Sequence, residues 1–168
     1  EYIKIIETLV KPKEVCAGIE DINIDKLFNE GYRTLFLDVD NTLLTYSQRN
    51  LSLQKINWIE KAKITGFNIY FVSNNSSYKR LKRVSKQVEI PGIYFALKPF
   101  DFGVKEIARD RNINLKKSIV IGDQLLTDII IGNWLRAHTI LVDPLDKRVS
   151  FIRTLQRELE LYLLKKMG

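Results

Sequence analysis

The chain of 168 residues is 45% apolar, which is enough for one hydrophobic core, so we expect a single domain spanning residues 1–168. Because the chain has one cysteine, Cys16, an internal disulfide is excluded. Because it also has only one histidine, a Cys/His zinc site is excluded as well. The formal net charge of +7 predicts attraction to phosphate esters, nucleic acid or an acidic membrane surface. No apolar run approaches the roughly 20 residues of a membrane span, and no segment has the pattern of a secretion signal, so we expect a cytoplasmic protein.

Five short apolar runs, each bounded by Gly, Asn, Asp or Pro, predict buried strands. They are Thr34–Leu37, Asn68–Val72, Ile93–Ala96, Ser118–Ile121 and Thr139–Val142. Because apolar residues occupy consecutive positions, both faces of each strand should be covered, as they are in a parallel sheet.

Amphipathic stretches alternate with these runs and predict helices. The predicted helices are Ser52–Thr65, Ser77–Val88, Phe102–Arg111 and Leu126–Leu135, with further helical extensions in residues 1–33 and 145–168. The predicted core-facing stripes are Leu53, Ile56, Ile59 and Ile64 on the first helix and Leu81, Val84 and Val88 on the second. The alternation predicts an α/β fold: a doubly wound, mostly parallel sheet with helices on both faces.

Polar residues follow four of the predicted strands, at the edge where open α/β sheets bind ligands. They are Asp38-Val39-Asp40-Asn41-Thr42, Ser73-Asn74, Lys98-Pro99 and Gly122-Asp123, with Asp128 five residues further on. Each group alone could be a helix cap. Four such groups at one edge predict a single site for phosphate or a metal.

These motifs, in this order, resemble those of the haloacid dehalogenase (HAD) superfamily of phosphatases. The phrases "LDVDNTLL", "SNN", "KP" and "GDQLLTDI" are similar to the YqeG branch, which is grouped with phosphatidylglycerophosphate phosphatases. The resemblance runs from Thr34 to about Pro144 and implies a HAD-like Rossmannoid sheet. It also implies a Mg²⁺-dependent phosphatase that works through an aspartyl-phosphate intermediate.

Residue roles follow from the resemblance, and each suits its chemistry. Asp38 resembles the nucleophile, and Asp40 resembles the general acid/base. Lys98 would be a fixed positive charge beside the phosphoryl group. The implied Mg²⁺ ligands are Asp38, the backbone carbonyl of Asp40, Asp123 and, more weakly, Asp128. The implied substrate-binding residues are Ser73, Asn74 and Thr42.

A cap domain has no place in this sequence. The intervals from Asp40 to Ser73 and from Ser73 to Lys98 hold one helix and one strand, so we expect an open site. An open site suits a substrate too large to enclose, such as a lipid headgroup, a phosphoprotein or a nucleic-acid end.

Two segments could meet an anionic membrane. Residues Tyr78–Lys86 carry five basic side chains predicted to point outward: Lys79, Arg80, Lys82, Arg83 and Lys86. Residues Phe151–Gly168 form an amphipathic stripe interleaved with basic residues. The favoured alternatives are a solvated helix face for the first segment and, for the second, packing against the protein body or another subunit.

We therefore expect a phosphatase acting on phosphatidylglycerophosphate in phospholipid synthesis, at the inner face of a membrane. A phosphatase for a nucleotide, a nucleic-acid end or a phosphoprotein stays open, as does a low-turnover binding or assembly factor on the same fold. Nucleic acid is disfavoured because few aromatic residues lie beside the basic segment.

Overall fold

A computed structural model describes residues 2–73, 78–94 and 102–147, together with Leu161 and Lys165. The strands are β1 (Glu14–Cys16), β2 (Thr34–Asp38), β3 (Asn68–Ser73), β4 (Gly92–Tyr94), β5 (Ser118–Gly122) and β6 (His138–Val142). The helices are α1 (Tyr2–Val10), α2 (Ile24–Asn29), α3 (Leu53–Thr65), α4 (Tyr78–Val88), α5 (Phe102–Asp110) and α6 (Ile130–Trp134). A π-helix, Leu125–Ile129, leads directly into α6.

The strands form one parallel sheet in the order β1-β6-β5-β2-β3-β4. This confirms the predicted α/β fold. All five predicted strands are present, although β4 begins one residue early and Phe95 and Ala96 lie outside the described residues. Each strand in the order is hydrogen-bonded to its neighbours, so the carboxyl ends of β5, β2 and β3 lie side by side.

Strand β1 was not predicted, and describing residues 1–33 as a helical extension is therefore incomplete. The segment contains α1 and α2 as expected, but it also supplies the edge strand that pairs with β6, from Glu14 opposite Ile140 to Cys16 opposite Val142. A three-residue strand whose central Val15 is 65% exposed has no apolar run to announce it. Its partner strand decides its conformation.

Side chains of the central strands alternate between two apolar layers. Leu35 and Leu37 point to the layer that contains Ile59 of α3, whereas Phe36 points to the layer that contains Val104 of α5. All five are at most 1% exposed. Burying such side chains stabilises the fold by about 1.5–3 kcal/mol each, and both faces of the sheet contribute.

Helix α3 begins and ends as predicted, but the face it turns to the core is only partly the predicted one. Ser52 caps its start by accepting a hydrogen bond from the Lys55 amide, and Gly66 ends it with a φ of 116°. Within the predicted stripe, Leu53 is 71% and Ile64 85% exposed. The stripe is therefore wrong at Leu53 and Ile64 but correct at Ile59, which is fully buried, and at Ile56, which packs against the core. The other buried residues of the helix are Lys55, Trp58 and Ala62.

The N-terminal segment explains this orientation of α3. Trp58 Nε1 donates to the backbone oxygen of Ile22 at 3.2 Å, and Lys55 Nζ lies 2.5 Å from Glu20 Oε1. Both partners come from the chain before β2, which covers this face of α3. On α4, in contrast, the predicted stripe of Leu81, Val84 and Val88 is buried. Across the described segments, no helix is both long and apolar enough to cross a membrane.

Candidate active site

Strand β2 carries Asp38 to the centre of the sheet's carboxyl edge. The strand lies between β5 and β3, and all five of its residues are buried. Asp38 is its last residue and stands opposite Val72, one position before Ser73 at the end of β3. On the other side, β5 ends at Gly122, and Asp123 follows it. The topology therefore brings three of the predicted motifs together.

Three carboxylates converge at this edge. Asp38, Asp123 and Asp128 each offer an oxygen atom, and these oxygens all lie within 4.8 Å of one another. The residues are 8%, 4% and 1% exposed, respectively. Buried carboxylates this close repel one another unless a positive charge stands between them. An all-oxygen group of this kind suits a hard divalent cation such as Mg²⁺.

Asp128 reaches the cluster through local backbone geometry. It lies in the π-helix after β5, an element that often marks functional sites. Its Oδ2 accepts a hydrogen bond from the Gln124 amide at 3.1 Å. A Cβ atom on Gly122 would overlap the Asp128 carboxyl group, so the glycine leaves the space that this carboxylate occupies.

Thr42 contacts the carboxylates directly. Its hydroxyl oxygen lies 2.8 Å from Asp38 Oδ2 and 3.3 Å from Asp123 Oδ1, with one hydrogen to serve both. Thr42 is 2% exposed. The hydroxyl therefore orients Asp38, whereas the predicted contact of Thr42 with substrate stays a prediction.

Asp40 stands between two donors. Ser73 Oγ lies 3.3 Å from Asp40 Oδ2, and Arg80 Nε lies 2.8 Å from Asp40 Oδ1. The prediction that Arg80 points outward is wrong, because its side chain is 14% exposed and reaches from the first turn of α4 into the site. A long side chain at the carboxyl edge of the sheet can turn inward where a carboxylate lies within its reach. The helical pattern of α4 does not reveal this, because it shows only which residues face the core.

Asn41 was not predicted to have a function, and it fastens the loop after β2. Its φ is 64°, a left-handed conformation that asparagine tolerates better than most residues. Its Nδ2 donates to the backbone oxygen of Asp146 at 2.8 Å, and its Oδ1 accepts from the backbone amide of Asp146 at 2.7 Å. The Leu145 amide also donates to the backbone oxygen of Asn41 at 2.9 Å. The loop that carries Asp40 is thus tied to the chain that follows β6.

Some predicted residues lie outside the described part of the chain. Asn74 and Lys98 are among them, so their places in the site remain predictions from the motifs. The same holds for most of the predicted helix in residues 151–168, of which only Leu161 and Lys165 are described, both helical and exposed.

Comparison with known proteins identifies the family. A family model described as mitochondrial PGP phosphatase matches residues 4–145. The chain belongs to this family. The probable phosphatase YqeG of Bacillus subtilis (strain 168) is 36% identical over 160 residues, which cover 94% of this chain and 92% of that protein. The resemblance implied by the four motifs is confirmed, and the protein is a phosphatase.

One solved structure resembles this PGP phosphatase family member. It is the crystal structure of an uncharacterized protein from Listeria monocytogenes serotype 4b, with a TM-score of 0.56 and 19% sequence identity. The match covers 79% of this chain and 99% of the Listeria chain. This likeness shows the fold alone, and the chemistry has to be argued from the site.

Proposed function

We propose that this phosphatase hydrolyses phosphate monoesters in two steps through an aspartyl-phosphate on Asp38. An Asp38 oxygen attacks phosphorus and forms a new P–O bond, while the bond to the alcohol oxygen breaks and that oxygen keeps the electron pair. Asp40, in its protonated form, gives its proton to the departing oxygen. Asp40 then takes a proton from water, whose oxygen attacks phosphorus and releases inorganic phosphate and the Asp38 carboxylate.

The observation that carries this proposal is the cluster of Asp38, Asp123 and Asp128, with Asp40 held outside it by Ser73 and Arg80. The two aspartates of the "DVD" motif therefore have different surroundings. Asp38 shares its surroundings with two other carboxylates, whereas Asp40 contacts a hydroxyl and a guanidinium. The position of the Asp40 side chain, outside the cluster and beside Ser73, suits a proton carrier, whereas Asp38, within the cluster, suits the nucleophile.

A Mg²⁺ ion fits the cluster. The side chains of Asp38, Asp123 and Asp128 and the backbone carbonyl of Asp40 would hold it, and all are oxygen donors. When bound, the ion would supply positive charge against the carboxylates and the phosphoryl group. On the motifs alone, we assign Lys98 to the same electrostatic task and Asn74, with Ser73, to the phosphoryl oxygens.

We propose phosphatidylglycerophosphate as the substrate. Three observations support this choice: the family description, the formal charge of +7, and the absence of a cap between β2 and β3, where the chain contains only a loop and α3. The exposed basic residues of α4 are Lys79, Lys82, Arg83 and Lys86. Each basic residue near an anionic membrane contributes about 1 kcal/mol of attraction, which would hold a peripheral enzyme beside its lipid.

The test compares phosphate release from phosphatidylglycerophosphate in mixed micelles with release from a soluble aryl phosphate, each in Mg²⁺ and in EDTA. We expect Mg²⁺-dependent release that favours the lipid. Asp38→Asn should reduce turnover to background in both assays, whereas Asp110→Asn, an exposed aspartate of α5, should leave it unchanged.

The possible results separate the parts of the proposal. Activity on the aryl phosphate alone would reject the lipid substrate but leave the chemistry standing, and a screen of nucleotides, nucleic-acid ends and phosphopeptides would follow. Turnover by Asp38→Asn at the wild-type rate would reject the aspartyl-phosphate mechanism. No turnover of either substrate would favour a binding or assembly factor on the same fold.

A further inference from the structure

We propose that Arg80 is a positioning residue that holds the general acid/base Asp40 with one oxygen, Oδ2, turned toward the phosphoryl group. This inference rests on the proposed roles of Asp38 and Asp40. It concerns a residue that the sequence places among surface cations but the structure places in the site.

The guanidinium of Arg80 is held on several sides. Its Nε donates to Asp40 Oδ1 at 2.8 Å. Its Nη1 donates to the backbone oxygen of Gln48 at 2.5 Å and lies 3.3 Å from the backbone oxygen of Tyr46. Its Nη2 donates to the backbone oxygen of Thr45 at 2.5 Å. Four of the five N–H groups of an arginine can thus be used at once. A guanidinium with this many partners has little freedom to rotate.

The backbone that binds Arg80 is itself a closed turn. The Gln48 amide donates to the Thr45 oxygen at 3.2 Å, and the Gln48 side chain accepts from the Thr45 amide at 2.8 Å. This turn follows Thr42 by only a few residues on the loop that begins at Asp40. Arg80 therefore joins α4 to a preformed turn and, through that turn, has a fixed position from which to hold the carboxylate.

The two oxygens of Asp40 have different neighbours. Oδ1 faces Arg80, and Oδ2 faces Ser73 Oγ at 3.3 Å. Ser73 ends β3 at the same sheet edge as Asp38, and we assign it to phosphoryl binding. Because Arg80 holds Oδ1, Oδ2 is left facing Ser73 and the phosphoryl group that Ser73 would bind. Oδ2 is therefore the oxygen that carries the proton to the departing alcohol.

Burial distinguishes Arg80 from the other cations of α4. The Arg80 side chain is 14% exposed and that of Asp40 is 8% exposed, whereas Lys79 and Arg83 on the same helix are exposed. A planar fork that reaches one carboxylate and several carbonyls at once is a geometry that lysine cannot copy. Arg83, three residues further along α4, provides a matched control of the same charge.

The test measures kcat/KM for Arg80→Ala, Arg80→Lys, Arg83→Ala and Asp40→Asn on nitrophenyl phosphate and phenyl phosphate. The ratio kcat/KM reports the steps up to departure of the phenol. Nitrophenolate leaves without help from an acid, but phenolate needs a proton, so only the second substrate depends strongly on an oriented Asp40. We expect Arg80→Ala to lower kcat/KM about 100-fold on phenyl phosphate, which is the lower end for general acid catalysis. On nitrophenyl phosphate the loss should be smaller by a factor of at least about ten.

The other variants complete the expected pattern. Arg80→Lys, which keeps the charge but not the fork, should fall between Arg80→Ala and the wild type, and Arg83→Ala should match the wild type. Adding Arg80→Ala to Asp40→Asn should cause little further loss, because a positioning residue has nothing left to position. Should Arg80→Ala fail to fold, as judged by circular dichroism, Arg80→Lys provides the same comparison between substrates.

Failure of this inference can be told from failure of the proposed function. If Asp40→Asn discriminates between the two substrates and the Arg80 variants do not, Arg80 is a structural residue and the inference is overturned. If Asp40→Asn itself loses equally on both substrates, the role of Asp40 as the acid fails. If the wild type releases phosphate from neither ester and not from phosphatidylglycerophosphate either, the proposed function fails, and the positioning role fails with it.

Discussion

The carboxyl group of Asp128 lies against the backbone of Gly122, so closely that a methyl group on Gly122 would occupy the same space. Gly122 is the last residue of β5, and Asp128, in the π-helix that follows, belongs to the cluster of Asp38, Asp123 and Asp128. A hydrogen atom in place of a side chain at residue 122 is therefore what allows Asp128 to enter the cluster.

We predict that Gly122→Ala displaces Asp128 and weakens Mg²⁺ binding. Loss of a supporting contact at a metal site typically costs 10–100-fold in affinity, so the Mg²⁺ concentration for half-maximal activity should rise by about that factor. Overpacking should also destabilise the fold by about 1–3 kcal/mol. A metal titration of activity and a urea denaturation in EDTA measure the two effects. An unchanged Mg²⁺ requirement would contradict the assigned role of Asp128.

Asp123→Asn should affect stability in opposite directions with and without metal. In EDTA, removing one of three buried negative charges relieves repulsion, and we expect stability to rise by about 1 kcal/mol. In saturating Mg²⁺, the wild type gains about 2.7 kcal/mol when the ion is at 100 times its Kd, and the variant should lose most of that gain. Thermal unfolding in both conditions tests this. A variant less stable than the wild type in EDTA would argue against repulsion in the cluster.

The hydroxyl of Thr42 should matter for catalysis more than for folding. Thr42→Val keeps the shape of the side chain but removes the hydrogen bond to Asp38, and a bond to a charged group contributes about 1.5–3 kcal/mol. We expect kcat to fall by at least about tenfold, which corresponds to about 1.4 kcal/mol, and Thr42→Ser to recover most of it. Steady-state kinetics on an aryl phosphate suffice. Wild-type turnover by the valine variant, which keeps the methyl group and lacks only the hydroxyl, would contradict the role of this hydrogen bond.

Two substitutions at Asn41 separate its backbone conformation from its side-chain bonds. Asn41→Gly keeps the left-handed conformation but loses the two bonds to Asp146, so it should destabilise by about 1–3 kcal/mol. Asn41→Ala adds the cost of a left-handed conformation for a residue with a Cβ, roughly 1–2 kcal/mol. The order of stability in chemical denaturation should be wild type, glycine, alanine. Alanine equal to glycine would mean that the loop relaxes to another conformation.

The ion pair between Glu20 and Lys55 predicts a pH dependence of stability. Burial raises the pKa of Glu20, but the hydrogen bond and charge of Lys55, with a backbone hydrogen bond, outweigh it and leave the pKa below its ordinary value of 4.5. A lowered pKa in the folded state stabilises the protein above pH 4.5, and this contribution is lost as pH falls below that value through the folded pKa. Glu20→Gln removes the contribution.

We therefore expect the wild type to exceed Glu20→Gln in stability at pH 6 and the difference to shrink at lower pH. Because Glu20 is about a third exposed, solvent weakens the effect, and the change with pH is the informative quantity. Urea denaturation of both proteins from about pH 6 to pH 3 measures it. A difference that grows as pH falls would contradict the lowered pKa.

Local patterns in the sequence determined five of the six strands that the structure describes and the edge at which the site lies. Runs such as Thr34–Leu37 are apolar at consecutive positions, and only burial on both faces satisfies such a run. Parallel strands all end at one edge, so Asp38, Ser73 and Asp123 had to come close together. Both arguments need only neighbouring residues and a general rule about sheets.

The buried face of α4 followed from its sequence pattern, but other contacts were decided by the tertiary structure alone. The sequence of α3 is compatible with more than one buried face, and the segment containing Glu20 and Ile22 selects the one with Lys55 and Trp58. Strand β1 exists because β6 offers it an edge. Arg80 turns inward because Asp40 and the turn at Thr45 lie within its reach. Each of these depends on partners distant in the chain, and the periodicity of a segment carries no information about them.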